Sequence, residues 1–400
     1  MTAPTPVPEA ELSLAEARDI AVAAALPADG FPDVKAALTH LHAVQLDSIS
    51  TLARAHQLTL TARLPGTTAQ AVDNILNNGP EPLAFDYPAH ALALVPLADW
   101  PLWAFRRRAT RRRPQYPDRQ ARTALLNRIE REGPLPLRRL RDGTEAGAGW
   151  AWNPTKTAVE FLVWSGELAS TRRAGGQRLF DLAERCIPDA FLSDQASDNA
   201  CLTELLGHAG AALGVATTDD LADYVRIPIA LAARILPETR LAPVRVEGWQ
   251  TAWVDPQALA GPARPHTEPL FLGPFDNLIW HRPRVLRLFG FTQVFEAYKP
   301  PARRKYGYYA CPLLADGRLI GRADFSRCES ALIIQRVNLE PGAGLNAPTA
   351  FTQACRTLAA ATGHTRIEVA DHAMADAVDL AALSGVLVTD EPAIKPPLGC

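Results

Sequence analysis

The chain has 400 residues, of which 48% are hydrophobic and 21% charged, and a formal net charge of −2. That is enough apolar material to exclude wholesale disorder, and the length calls for two to four domains. A near-neutral chain is not a polycation, so any nucleic-acid surface must come from local clusters of arginine. No window approaches 18 uninterrupted apolar residues, so no membrane-spanning helix is expected. Six cysteines, at 186, 201, 311, 328, 355 and 400, form no C-x-x-C pair and flank no paired histidines. Neither a zinc site nor a disulfide framework is expected from them, and dispersed thiols suit a reducing cytoplasm.

Residues 1–11 are Pro-rich, lack the basic-then-apolar layout of a signal peptide, and read as a disordered tail. A first unit spans 12–116. Ser13 and Glu16 stand three apart before an Ala-rich run, a capping box that starts a helix to residue 26. Asp33 caps a second helix to about residue 41, with Val34, Leu38 and Leu41 on one face. Val44-Gln45-Leu46-Asp47 then alternates apolar and polar, the period of a half-buried strand. Gln45 and Asp47 would share its open face, ~7 Å apart at ~3.3 Å per residue. A helix over 50–64 carries Arg54 and His56, and another over 68–77 ends at Asn78-Gly79-Pro80. The aromatic-rich stretch from Phe85 to Trp103, which includes His90, reads as packing. Arg106, Arg107, Arg108, Arg111, Arg112 and Arg113 form the sharpest charge run. As a helix it would be basic on nearly all sides, which suits a phosphate backbone and equally a solvated linker.

Residues 117–190 read as a helix (119–132), a short helix (135–141), a third helix (155–164) and a hairpin (169–173 with 178–181). That is the plan of a winged helix. The third helix of such a unit can enter a major groove and its hairpin can touch phosphate. Lys156, Arg172, Arg173 and Arg178 stand where those contacts fall, although many winged helices bind only protein. Residues 191–262 repeat the plan, with helices over 200–213, 218–225 and 228–236 and a wing over 242–253. The first unit reads as a third copy with the Gln45–Asp47 strand inside it.

From 263 to 345 the texture changes. Strands over 292–299, 306–314, 318–324 and 331–338, with Asp316-Gly317 as a hairpin turn, form a small β-barrel-like domain. Arg303, Arg304 and Lys305 make a second basic cluster ahead of Tyr306, Tyr308 and Tyr309. Residues 346–400 carry a helix (347–361), a short strand (366–369) and a weakly helical tail. The expected fold class is α+β: tandem winged helix-turn-helix domains with a small β-barrel-like domain.

The Gln45–Asp47 pair is the candidate for chemistry. A carboxylate can take a proton from water or face a developing positive charge, and an amide, with both donor and acceptor, can hold that water. The bare pattern equally marks the wet side of an edge strand.

Four stretches late in the chain carry a resemblance: Leu272-Gly273-Pro274-Phe275-Asp276-Asn277-Leu278-Ile279-Trp280, Leu288-Phe289-Gly290-Phe291, Glu296-Ala297-Tyr298 and Tyr306-Gly307-Tyr308-Tyr309. With Val44-Gln45-Leu46-Asp47-Ser48, Arg54-Ala55-His56 and Tyr87-Pro88-Ala89-His90, they resemble the crosslink-repair DNA glycosylases of the AlkZ/YcaQ winged-helix family. The chain departs from that pattern at Pro88 and Ala91, where members tend to carry an aromatic and an acidic residue. One branch of the family has Gln-x-Gln in its first domain and the YcaQ-like branch has Gln-x-Asp; Gln45-Leu46-Asp47 is similar to the second.

The resemblance implies tandem winged helices and a β-barrel around a basic DNA channel. It also implies hydrolysis of the N-glycosidic bond of N7-alkylguanine, nitrogen-mustard-type interstrand crosslinks included. Asp47 would stabilise the oxocarbenium-like sugar and activate water, and Gln45 would position the water or the sugar-phosphate. Arg54, His56 and His90 would lie toward the DNA, though His56 reads equally as a core histidine. The implied enzyme is a cytoplasmic, nucleoid-associated monomer on double-stranded DNA, with no cofactor, metal or membrane. No Schiff-base lysine stands out, so it is expected to be monofunctional and to leave an abasic site. The rival reading is a non-enzymatic winged-helix regulator, which would not depend on Asp47 and would dimerise on paired half-sites. A protein-interaction scaffold, with no salt-dependent DNA affinity, is a third.

Overall fold

The computed structural model of the chain describes residues 10–141, 154–249, 251–260, 264, 266–370 and 375–376. It opens on β1 (Ala10–Leu12), which pairs in parallel with residues 244–246. Ala10 and Glu11, expected in a disordered tail, are instead captured by a sheet edge; residues 1–9 lie outside the described residues. The capping box at Ser13 forms. Ser13 Oγ accepts from the Glu16 amide and the Glu16 carboxylate accepts from the Ser13 amide, starting α1 (Leu14–Ala25).

Three repeats follow. The first is α2 (Val34–Leu41), β2 (Val44–Gln45), α3 (Ala55–Thr61), α4 (Ala69–Asn78), β3 (Ala84–Tyr87) and β4 (Ala93–Pro96). A 3₁₀ helix over Leu97–Trp103 leads into α5 (Ala104–Thr110). The second repeat is α6 (Arg119–Glu132), β5 (Leu135–Pro136), α7 (Leu137–Leu140), α8 (Pro154–Ser165), β6 (Leu168–Ala174) and β7 (Gln177–Leu182), followed by the short α9 (Ala183–Cys186). The third is α10 (Asp198–Leu213), β8 (Val215–Thr217), α11 (Thr218–Val225), α12 (Ile229–Ile235), β9 (Ala242–Val246) and β10 (Thr251–Val254), followed by α13 (Pro256–Leu259). Each repeat runs helix, strand, helix, helix, strand, strand. Each sheet is ordered alike, with the last strand in the middle: β2-β4-β3, β5-β7-β6 and β8-β10-β9, the last extended by β1. Side-chain caps set where the leading helices begin: Asp33, Asp118 and Ser197 accept from the amides of Ala36, Ala121 and Ala200.

The last unit contains β11 (Leu270–Phe271), α14 (Arg282–Phe289), β12 (Cys311–Ala315), β13 (Arg318–Cys328), β14 (Ala331–Leu339), α15 (Ala347–Thr362), β15 (Arg366–Val369) and β16 (Ala375–Asp376). Its strands form a half-barrel sheet in the order β11-β12-β13-β14-β15, with β16 also on β14. Asp316 and Gly317 turn β12 into β13 with φ of 47° and 67°, the left-handed pair that an Asp-Gly hairpin supplies.

The strand expected over 292–299 is absent, and the one expected over 306–314 begins only at Cys311, so residues 292–299 and 306–310 are irregular. Side chains rather than a ladder satisfy their backbone. Asp324 accepts from the amides of Tyr308 and Tyr309, both at 2.8 Å, and Glu296 accepts from the Tyr306 amide at 2.7 Å. The helix expected over 50–64 shrinks to α3. The Asn153 start of α8 and the tail beyond Asp376 lie outside the described residues.

The cores cross unit boundaries. Leu52, Ala53, Leu58 and Ala69 of the first repeat share a core with Phe271, Leu313, Phe325 and Phe351 of the half-barrel. Phe85, Tyr87, Trp100 and Trp103 share another with Leu202, Leu206 and Trp253 of the third repeat. The second repeat has its own, built on Ile129, Val159, Leu162 and Phe180. No helix of the described residues is long and apolar enough to cross a membrane.

An ion network fastens α14 to α11. Both Asp220 oxygens lie 2.6 Å from Arg287 Nη2, with Arg284 Nη1 at 3.4 Å and His281 Nδ1 at 3.0 Å. Burial alone would raise the Asp220 carboxyl; the His281 hydrogen bond and the two guanidinium charges outweigh it and hold the group well below the usual carboxylate range. A carboxyl with a depressed folded-state pKa gives stability above its unfolded value of about 4 and loses it as pH falls further. Urea melts between pH 7 and pH 3 should therefore show stability falling steeply at the acid end. In Asp220→Asn that slope should flatten; an identical slope in the variant would sink the assignment.

Candidate active site

The site is built on the end of β2. Val44 and Gln45 pair with Leu94 and Ala93 of β4, and the Leu46 amide donates to Leu92 O at 2.8 Å. The ladder stops there because Asp47 turns the chain: its Oδ1 accepts from the Ile49 amide at 2.7 Å. This Asx turn offers the backbone a partner that competes with the strand. Asp47 thus sits just past the strand rather than sharing its open face with Gln45. Gln45 is 8% exposed and Asp47 half-buried. Among the described residues neither the Gln45 amide nor Asp47 Oδ2 makes a hydrogen bond.

Both sides of this segment are anchored by the Gly273–Asn277 stretch. Asp276 holds Arg63 through two bonds of 2.6 and 2.9 Å, with both side chains fully buried, and Arg63 also donates to Thr59 O at 2.8 Å. Asn277 Nδ2 donates to Ala43 O at 2.8 Å and to the Tyr224 hydroxyl at 2.6 Å, and that hydroxyl donates to Leu41 O at 2.5 Å. Downstream, Ile49 packs against the half-barrel core and Arg327 donates to Leu52 O at 3.1 Å. Tyr309 lies close enough to the turn to feel the Asp47 charge. It is 1% exposed and its hydroxyl has no partner among the described residues. Burial, with the charges of Cys311 and Asp47, pushes its phenol well above the ordinary value, so it stays neutral.

The expected DNA-facing residues divide by geometry. Arg107 is 1% exposed, bonds Asp194 and donates to Trp100 O at 2.6 Å. Arg106 donates to Pro88 O and to Val225 O (2.8 Å), and Arg108 to Asp194 O (2.6 Å) and Ala196 O (2.9 Å). Arg111 reaches Ser165 O at 2.6 Å. The run is therefore not basic on all sides; Arg106, Arg107 and Arg108 are turned inward as struts among the repeats, and Arg111, although bonded, is exposed together with Arg112 and Arg113. Arg172, Arg173 and Arg178 are likewise corrected from phosphate contacts to internal ties. Arg172 donates to Asn77 O (2.8 Å), Arg173 bonds Asp86 (2.5 Å) and Arg178 bonds Glu160, because the second repeat's hairpin packs on α4 and β3.

His56 is the core histidine of the two readings: burial lowers its pKa and Nε2 lies 3.1 Å from Asp73 Oδ1. It lines a cleft of about 290 Å³ with Arg54, Arg173 and the 174–176 turn. His90 is buried too, stacked on Trp280 at 3.8 Å and 3.2 Å from Asp223. Lys156, Arg303 and Lys305 are exposed, while Arg304 lies over Tyr308 at 4.9 Å and donates to Lys299 O. Sequence reasoning nominated none of Arg63, Asp276, Asn277, Tyr309 or Tyr298 for a role, although all but Arg63 fall in the quoted motifs. Tyr298 is 84% exposed. Its ring meets Phe295 at 5.9 Å, and Phe295 meets Tyr309 at 6.0 Å, so an unbroken aromatic path runs from an exposed ring to Tyr309.

Three like repeats and a half-barrel carry this amide–carboxylate pair, and the family that the chain matches makes it a DNA glycosylase of the repair class. The chain matches the model of the family described as DNA glycosylase AlkZ-like over residues 38–377, and it belongs to that family. Its fold is similar to that of Streptomyces sahachiroi DNA glycosylase AlkZ, with a TM-score of 0.58 at 17% identity, covering 90% of this chain and 98% of that one.

Proposed function

We propose that this chain is a monofunctional glycosylase of the Gln-x-Asp type, acting as a monomer on duplex DNA. It hydrolyses the N-glycosidic bond of N7-alkylguanine in single adducts and in interstrand crosslinks. The observation that carries this reading is the pair of groups at the end of β2, the Gln45 side-chain amide and Asp47 Oδ2, that make no hydrogen bond among the described residues. Other buried carboxylates are committed: Asp86 to Arg173, Asp99 to His42, Asp220 to Arg287, Asp276 to Arg63 and Asp324 to backbone amides.

The chemistry asks for little more. Alkylation at N7 makes guanine a cation that departs as a neutral base, so no general acid is needed. Charge develops on the sugar instead, where a carboxylate stabilises it and orients the attacking water. Gln45 holds that water or the neighbouring phosphate. Tyr309 stays neutral, so it adds no negative charge near Asp47. A crosslinked base cannot be drawn into a closed pocket while tied to the opposite strand, so a turn on a surface suits it better than a flipping pocket. The repeated helix–strand–helix–helix–hairpin order supports reading the repeats as winged helices.

Exposed Arg112, Arg113, Lys156, Arg303 and Lys305 are the phosphate contacts of this reading, and Tyr298 is its stacking residue. Tyr298→Ala should weaken duplex binding by about 1–3 kcal/mol, one to two decades in Kd. Arg303→Ala and Lys305→Ala should each lower the salt slope of binding by about one. Fluorescence anisotropy across a salt series reads both, and unchanged affinity in Tyr298→Ala would remove the ring from the interface.

The test of the function is single-turnover release of N7-methylguanine from a duplex, alongside unhooking of an N7-crosslinked duplex. Release that leaves an abasic site, with no borohydride-trapped adduct, is expected. A protein that binds both substrates and releases base from neither would be a regulator.

A further inference from the structure

Two histidines and an aspartate converge away from β2. His42 caps the C-terminus of α2, Asp99 lies in the Leu97–Trp103 helix and His208 lies on α10. We propose that His42, Asp99 and His208 form a binding site for a divalent transition-metal ion, zinc foremost, that staples the first repeat to the third.

The three donor atoms lie within 4.8 Å of one another. His42 Nδ1 is 2.7 Å from Asp99 Oδ2 and His208 Nδ1 is 3.8 Å from Asp99 Oδ1, so one buried carboxylate is flanked by two imidazoles. The rings are stacked, centroids 3.6 Å apart and 7° from parallel, so one ring must turn about its χ2 bond for both Nδ1 lone pairs to meet on one ion. His208 Nδ1 is buried with no hydrogen bond among the described residues, a lone pair or N–H aimed at the cluster.

His42 has a φ of 55°, the left-handed position after a helix where glycine is the ordinary residue.

The cluster opens on a cleft of about 660 Å³ walled by Phe31, Lys35, His40, Ala211 and Arg240, with room for water as a fourth ligand. Three protein ligands of imidazole and carboxylate type plus water is a zinc pattern, and the lack of thiolate argues against copper(I). Arg240 faces the same cleft and disfavours a cation, but it lies 3.4 Å from Asp255. The other His/Asp cluster, Asp219, Asp220 and His281, is no rival, since Arg284 and Arg287 already neutralise Asp220. The cysteine spacing that argued against zinc does not bear on this set, which uses no thiol.

The test is zinc titration of the full, chelator-stripped chain by calorimetry, with cobalt(II) absorption as a second probe. One saturable ion is expected, together with a rise in Tm on adding zinc. His42→Gly suits the left-handed backbone and so folds. With His208→Gln as a second variant, it should lose affinity by more than ~100-fold, beyond the cost of removing an outer-sphere partner, and lose the Tm response. No saturable binding, or binding unchanged in both variants, would overturn the site. The readout involves no DNA, so either result leaves the glycosylase reading where it stood.

Discussion

Asp47→Asn should slow release of N7-methylguanine from a duplex by roughly 10²–10⁴-fold, the range for loss of a positioned acid–base group, while affinity for the duplex is unchanged. Asparagine is the informative replacement because it keeps the acceptor oxygen. The Ile49 amide that Asp47 Oδ1 receives at 2.7 Å can still be met, so the turn persists and only the negative charge is removed. Alanine would lose the turn as well and confuse chemistry with geometry. The anchors on either side, Asn277 on Ala43 O and Arg327 on Leu52 O, do not involve the carboxylate, so binding should survive. Single-turnover rates with anisotropy at one fixed salt concentration separate the two effects. Wild-type rates from the variant would mean that the carboxylate has no part in the chemistry.

Asp276→Ala is expected to damage stability by about 3–5 kcal/mol, as removal of one partner of a buried ion pair does. Arg63 would be left fully buried with its charge uncompensated, retaining only Thr59 O as a strong acceptor. The Leu278 amide would also lose its acceptor on Asp276 Oδ1, loosening the Asp276–Trp280 turn. Replacing both partners, as Arg63→Met with Asp276→Leu, should recover much of the loss, because the desolvation penalty of two charges goes with them. Urea melts of the two single variants and the double variant give the coupling. A loss below about 1 kcal/mol in Asp276→Ala, the value of an exposed pair, would show that the clamp does not hold the first repeat to the half-barrel.

Much of the scaffold was legible in the sequence. The caps at Ser13 and Asp33 are local devices whose partners lie three residues away, so spacing alone finds them. The hairpin around Gly175-Gly176 and the threefold repeat follow from turn residues and element order in the same way. The arginine run was misread because its partners are remote: Asp194 and Val225 lie 87 and 119 residues from Arg107 and Arg106. Charge density in a sequence does not reveal which guanidiniums find carbonyls in another repeat. The aromatic stretch near 292–310 looked like strands because its composition suits a sheet, yet Asp324 and Glu296 satisfy its amides. In the site, the Gln45–Asp47 pair stood out by alternation, and the turn that separates Asp47 from the strand did not. Asp276 and Asn277 were visible as a motif but not as a clamp, since their partners Arg63 and Ala43 are more than 200 residues away.

The distribution of cores has a consequence for the order in which the chain can fold as it leaves the ribosome. Ile129, Val159, Leu162 and Phe180 pack among residues of their own repeat, so that unit can close once its hairpin has emerged. The first repeat, made earlier, can likewise close on a core of its own, Val34, Leu38, Leu41, Val44, Leu60, Val72 and Leu94. One face of it must wait: Leu52, Ala53 and Leu58 pack on Phe325 and Phe351, and β1 waits for residues 244–246. Both repeats are thus able to fold before the half-barrel exists. The apolar face that follows Gln45 and Asp47 stays uncovered until Phe351 has been synthesised, an interval in which it needs protection from other nascent chains.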